Sequence, residues 1–187
     1  MQAQRPQRRV AQKLAYARWH LDWSDSLVDT AKEGAEVAVQ QREALLQSAL
    51  FHLVGAYRAF LGEIAADIHL LPDDKAPDCR SAERLSAAYT DYLPPALMQC
   101  VNLEREVPDS PGDMAQYWLA NLLVWFAEME RVAGAQGPPA PPANVAGGAL
   151  IAVSTHAGER PDRGNLGYCL ARLEQLIERL RDDLQEC

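Results

Sequence analysis

The chain lacks a run of about 20 uncharged apolar residues, the length a spanning helix needs to cross a hydrocarbon core. Its most apolar stretch, 42–71, is broken by Arg58, Glu63 and Asp67, so no membrane span is expected. The start, MQAQRPQRRVAQK, carries charges but no apolar h-region, which predicts that no secretory signal is present. Cysteine is sparse: Cys79, Cys100, Cys169 and Cys187 include no CxxC pair, the spacing that zinc and redox motifs use. Without a secretory route a disulfide framework has no oxidising compartment in which to persist. Together these absences predict a cytoplasmic protein with reduced thiols. Positive charge is short too, with 18 basic against 26 acidic residues and a net charge of −8. That balance makes the whole chain an unlikely match for a phosphate backbone, and nucleic acid is not an expected partner.

Catalytic and metal-binding spacings are also missing. Di-iron helical bundles carry Glu-x-x-His pairs that turn both side chains toward one ion. The residues three before His20, His52, His69 and His156 are Ala17, Ala49, Ala66 and Val153. No HExxH, P-loop, GxGxxG or GxSxG occurs. Some helical ribonucleases use a closely spaced Arg and His, whereas Arg58 and His69 have ten residues between them, and Arg42 and His52 have nine. A triad assembled from distant positions leaves no local mark, and nothing nominates one. No metal, no cofactor and no catalytic residue is expected.

What the sequence does contain is helical periodicity. Val10, Leu14, Ala17, Leu21 and Val28 keep to one face of a helix over about 6–30, and Trp19, Trp23 and Leu27 are expected to widen that face. Asp22, Asp25 and Asp29 form a row on another side, read as a solvated face. After a break at 32–34, a second helix over about 36–71 ends before Pro72. It is apolar around more than half its circumference and must be surrounded, so it is expected at the centre of the fold. Residues 72–79 read as a loop. Ser81 suits the N-cap of a third helix with Leu85, Ala88, Tyr89 and Tyr92, and after Pro94 and Pro95 the stretch 96–105 is either a kinked continuation or a separate helix. Ser110-Pro111-Gly112-Asp113 then reads as the start of a helix with Trp118, Leu122, Trp125, Met129 and Val132 on one stripe, stopped by Gly134.

Residues 134–148, GAQGPPAPPANVAGG, read as a flexible linker, and the apolar run 149–153 as an extended piece pressed on the bundle. From about 165, Leu166, Leu170, Leu173, Ile177, Leu180 and Leu184 hold the alternating four- and three-residue spacing of a coiled-coil seam. Too short to stand alone, it is expected to dock on its own chain rather than on a second one. The expected fold is all-α: one domain over 1–187, a bundle of four to five helices with a long central helix and a C-terminal helix returning across the Pro/Gly-rich linker.

Candidate site residues follow from this layout. In the central helix, Ser48, His52, Gly55, Ala59, Gly62 and Ala66 form a stripe of mostly small side chains beside a bulky one of Leu46, Leu50, Leu53, Tyr57, Phe60 and Ile64. The small stripe is expected to admit another helix closely, so Gly55→Leu or Gly62→Leu should overpack it at a cost of about 1–3 kcal/mol. Glu63 is expected to pair with Arg58 or with an arginine of the first helix; crowded against Asp67 it would instead suit a general acid. A pocket between the central helix and the Trp118/Trp125 helix would draw polar contacts from His52, Glu63 and Arg58. The basic start, with Arg5, Arg8 and Arg9 near Tyr16 and Trp19, is a weak candidate for nucleic-acid or acidic-partner contact.

The segments Ala11-Gln12-Lys13-Leu14-Ala15-Tyr16-Ala17, Arg42-Glu43, Ala49-Leu50-Phe51-His52-Leu53-Val54-Gly55-Ala56 and Glu63-Ile64-Ala65 carry a resemblance. So does the ending, Leu176-Ile177-Glu178-Arg179 and Leu184-Gln185-Glu186. The chain resembles a domain-of-unknown-function family of small all-helical proteins from pseudomonad-type gammaproteobacteria, over most of its length outside the linker. The resemblance implies a bacterial cytoplasmic helical protein and carries over no activity, cofactor or site residue. The leading expectation is a non-enzymatic interaction protein that binds a protein partner, or a second copy as a homodimer, through an exposed apolar helix face. A small-molecule-binding bundle, with or without catalysis, is the alternative, and nucleic-acid contact through the N-terminal helix is the third.

Overall fold

Helix α2 (Ala35–Asp67) touches every other helix of the fold, the position its apolar circumference demands. Around it lie α1 (Gln4–Thr30), α3 (Ala82–Ser86), α4 (Pro95–Arg105), α5 (Met114–Ala135) and α6 (Arg163–Gln185). The computed structural model describes residues 4–30, 35–67, 78–89, 93–106, 114–135 and 160–185. Within them the fold is all-helical, with six helices and no strand. Six replaces the expected four to five because the stretch of Leu85 and the stretch from 96 are separate helices: α3 closes at Ser86 with Ala87 as its C-cap, so Ala88 and Tyr89 lie beyond it. α4 starts afresh at Pro95, where a missing N–H costs nothing in the first turn. Predicted features at 68–77, 110–113, 136–153 and Tyr92 lie outside the described residues.

The bulky stripe of α2 is the core. Leu50, Leu53, Tyr57, Phe60 and Ile64 are buried together with Leu21 of α1, Leu97 of α4, Trp118 and Leu122 of α5, and Leu173 of α6. By length and composition, Glu36–Ala66 is apolar enough to cross a membrane, and half of its most apolar window is buried inside the fold, as in a core helix. The leucine seam of α6 also faces inward. Leu166, Leu170, Leu173, Ile177 and Leu180 are buried, and α6 packs on α1, α2, α4 and α5.

Ion pairs report the directions of the helices. Glu63 meets Arg181 near the C-terminal ends of α2 and α6, and Glu43 meets Arg160 toward their N-terminal ends, so these two run parallel. Arg18–Glu174 and Asp25–Arg163 show that α1 runs antiparallel to α6. The acidic row of α1 therefore is not merely solvated. Asp25 accepts from Arg163 Nε at 2.9 and 3.1 Å, and Asp22 lies 3.9 Å from the same guanidinium.

Helix α3 is too short to stand by propensity, since one turn fixes several residues for few hydrogen bonds. Side chains hold it. Ser81 Oγ accepts from Arg84 N–H as the N-cap, at 3.1 Å. Glu104 of α4 accepts from the N–H groups of Ala82 and Glu83 at 2.7 and 3.1 Å, and also from the Tyr57 hydroxyl of α2 at 2.8 Å. One carboxylate thus ties α2, α3 and α4 together.

Two packing expectations are corrected. Trp19 and Trp23 do not widen the core face of α1: they are 56% and 46% exposed, while Ala17, Leu21 and Ser24 face inward. A hydrophobic period cannot distinguish a broad core face from a core face with an aromatic row beside it. The small stripe of α2 does receive α1, at His52 and Gly55, but it is more loosely filled than expected, above all at Gly62. A Cβ at Gly55 would meet the Lys13 side chain at 3.4 Å, and one at Gly62 only the Cys79 sulfur at 4.0 Å. Both are ordinary van der Waals distances, so a methyl group fits at either position.

Candidate functional site

The α1–α2 pair presents an aromatic surface with two open clefts. His20 of α1 and His52 of α2 stack with ring centroids 5.3 Å apart and planes 11° from parallel. Tyr16 leans on His52 at 5.2 Å, and Trp19 contacts both His20 at 4.9 Å and Trp23 at 5.1 Å. Phe51 meets His52 edge-on. Tyr16 is 44% and Phe51 50% exposed, so with the two tryptophans they form a half-exposed aromatic row. Large rings in mutual contact at the surface are the residue types that dominate binding energy where proteins meet.

A cleft of about 350 Å³ opens over the histidines, lined also by Ala44, Gln47, Ser48 and Phe51. The Nδ1 atoms of His20 and His52 are covered and have no hydrogen-bond partner among the described residues. Burial lowers the pKa of His20; burial, then Lys13, then His20 lowers that of His52. Both imidazoles are therefore neutral at pH 7, each with one nitrogen able to accept. Among the described residues the lining includes no carboxylate to orient either ring and no thiol to attack. The clearest thiols lie elsewhere: burial pushes Cys100 and Cys169 up to about 12, so neither supplies a thiolate. Among the described residues no group of three or more His, Cys, Asp or Glu converges as a metal site.

The second cleft, about 300 Å³, lies where α1, α2 and α5 meet. Arg9 and Lys13 come from α1, Phe51, Gly55, Arg58 and Ala59 from α2, and Phe126 from α5. Lys13 Nζ sits 5.0 Å from the Phe51 centroid, and the Arg58 guanidinium 4.8 Å from that of Phe126. Arg58 Nε also donates to the Arg80 carbonyl at 3.3 Å.

The expected site residues are thus dispersed. His52 lies on the first cleft, while Arg58 joins Arg9 on the second. Glu63 is in neither. It is 5% exposed and takes Arg181 of α6 through contacts of 2.9 to 3.0 Å, an ion-pair partner on a helix the sequence did not nominate. Glu63 lies eleven positions along the helix from His52, roughly 16 Å at about 1.5 Å per residue, too far to share a small ligand. Trp118 is a buried core residue and Trp125 is packed against the core; neither lines these two clefts. Arg8 is exposed, and the side chain of Arg5 lies outside the described residues. The residues not anticipated are His20, Lys13, Phe51 and Phe126. Their signal was available only through the antiparallel register of α1 on α2, which sets Lys13 opposite Gly55 and His20 opposite His52.

A family model described as a family of unknown function (DUF6586) matches residues 1–187. No curated protein and no solved structure matches the chain.

Proposed function

The chain belongs to the DUF6586 family of unknown function, so its role is read from its own geometry, and we propose that it is a bacterial, cytoplasmic, non-enzymatic interaction protein. In this reading 1–187 is a single bundle domain, with the Pro/Gly-rich stretch after α5 as the linker to α6; Gly134, expected to stop the preceding helix, lies inside α5. Its docking face is the aromatic row of α1, Tyr16, Trp19 and Trp23, continued onto α2 by Phe51. The observation that carries the reading is the exposure of those four rings while smaller residues beside them fill the core. Half-exposed tryptophan does little for the fold, and contiguous apolar surface on a protein marks an interaction site. The occupant is a different protein offering apolar side chains. A second copy would bring another net charge of −8 against this one, which works against self-association at moderate salt.

The test is affinity purification with the Trp19→Ser/Trp23→Ser double variant. Its stability should stay within about 0.5 kcal/mol of the parent, as for surface changes. A partner recovered with the parent should be lost with the variant; recovery in equal yield would defeat the reading.

A further inference from the structure

The second cleft carries a separate binding property. Eight arginines of the described residues, at positions 18, 80, 84, 105, 131, 160, 163 and 181, hold a carboxylate. Arg9, Lys13 and Arg58 gather on one cleft, and among the described residues none of them is in an ion pair. In a chain with 26 acidic and 18 basic residues, three cations sharing a cleft without a carboxylate are a specific arrangement. Two of them are positioned by aromatic faces instead. Lys13 lies over Phe51 and Arg58 over Phe126, and the two rings are 6.3 Å apart. A ring face attracts a cation without neutralising its charge, so both cations remain available to an anion. Gly55 contributes room, because the absent side chain lets Lys13 lie across α2, its Cδ only 3.4 Å from where a Cβ would sit.

We propose that this cleft between α1, α2 and α5 binds a small organic anion, a carboxylate or phosphate attached to an aromatic or compact apolar group. The anion sits among Arg9, Lys13 and Arg58, whose charge-assisted hydrogen bonds are stronger than neutral ones. The apolar group lies on Phe51, Phe126 and Ala59. At about 300 Å³ the cleft is at the small end of ligand pockets, which span roughly 300–1,000 Å³, so it suits one ring and its headgroup rather than a dinucleotide. The site shares Phe51 with the docking face but lies apart from the α1 tryptophans, and it does not depend on a protein partner.

Isothermal titration of the purified full chain tests this with four probes: phenylacetate, phenyl phosphate, the neutral phenylacetamide and inorganic phosphate. Phenylacetate should bind about tenfold more tightly than phenylacetamide, and phenyl phosphate about tenfold more tightly than inorganic phosphate. Affinity should fall as salt rises. Lys13→Met and Arg58→Met should each weaken phenyl phosphate binding about fivefold or more, Gly55→Leu should block the cleft, and Arg172→Met on α6 should change nothing. Lys13→Met changes a half-exposed side chain, so it remains informative if Arg58→Met fails to fold. Equal binding of phenylacetate and phenylacetamide, equal binding of the two phosphates, no binding of any probe, or affinity unaffected by Lys13→Met would each overturn the proposal.

Discussion

Replacing Arg181 with methionine isolates a largely buried ion pair that docks α6 on the central helix. Glu63 is 5% exposed, and the Arg181 side chain is 30% exposed. Removing one partner of a fully buried pair costs about 3–5 kcal/mol, and an exposed pair contributes about 0–1 kcal/mol. Arg181 reaches water along part of its length, so Arg181→Met should cost about 2–3 kcal/mol. A chain of this size loses about 2–4 °C of Tm per kcal/mol, so melting should fall by roughly 4–12 °C. The pairing itself is read from a double-mutant cycle with Glu63→Gln, by urea denaturation, where the coupling energy should be about 1–3 kcal/mol. Replacing both residues by apolar ones, Glu63→Leu/Arg181→Met, should recover much of the loss, because neither charge then has to be desolvated. A coupling below about 0.5 kcal/mol would refute the reasoning, since contacting residues are expected to exceed it. The cycle also reports how α6 docks: within one chain the coupling is independent of protein concentration, whereas exchange between chains would make it concentration-dependent.

Two further outcomes follow from the same contacts. His20 and His52 have lowered pKa values in the fold, so below about 6.5 the unfolded chain binds more protons. Their contribution to stability is complete above that pH and is lost as pH falls through the histidine range. Tm should therefore drop between pH 7.5 and 5.5, and His20→Phe/His52→Phe should flatten that part of the curve; a slope identical to the parent's would contradict the stacked pair. Glu104 accepts from Ala82 N–H, Glu83 N–H and the buried Tyr57 hydroxyl, so Glu104→Ala should cost about 2–3 kcal/mol against about 1 kcal/mol for Tyr57→Phe, measured by urea denaturation. Equal costs would show that the α3 contacts contribute nothing.

Much of the fold was legible in the chain because burial follows period. The leucine seam of α6, the bulky stripe of α2 and the Ser81 cap all appear where their spacing and chemistry place them. The start of α4 at Pro95 was equally readable, whereas the early close of α3 at Ser86, well before the prolines, was not. The site was much less legible. A period assigns residues to a face but not to a neighbour, so Trp19 and Trp23 read as core when they flank it. Glu63 was correctly marked as a residue that needs a partner, yet that partner lies 118 positions away on α6. Arg9 and Arg58 belonged to different candidate sets until the register of α1 on α2 brought them to one cleft.

The docking face is tested most directly by placing the photo-crosslinking residue p-benzoylphenylalanine at position 19 and, separately, at exposed position 172 on α6, then irradiating living cells. The account predicts a discrete heavier adduct containing a second, different protein from position 19 and none from position 172. No adduct from position 19, or the same adduct from both positions, would contradict it.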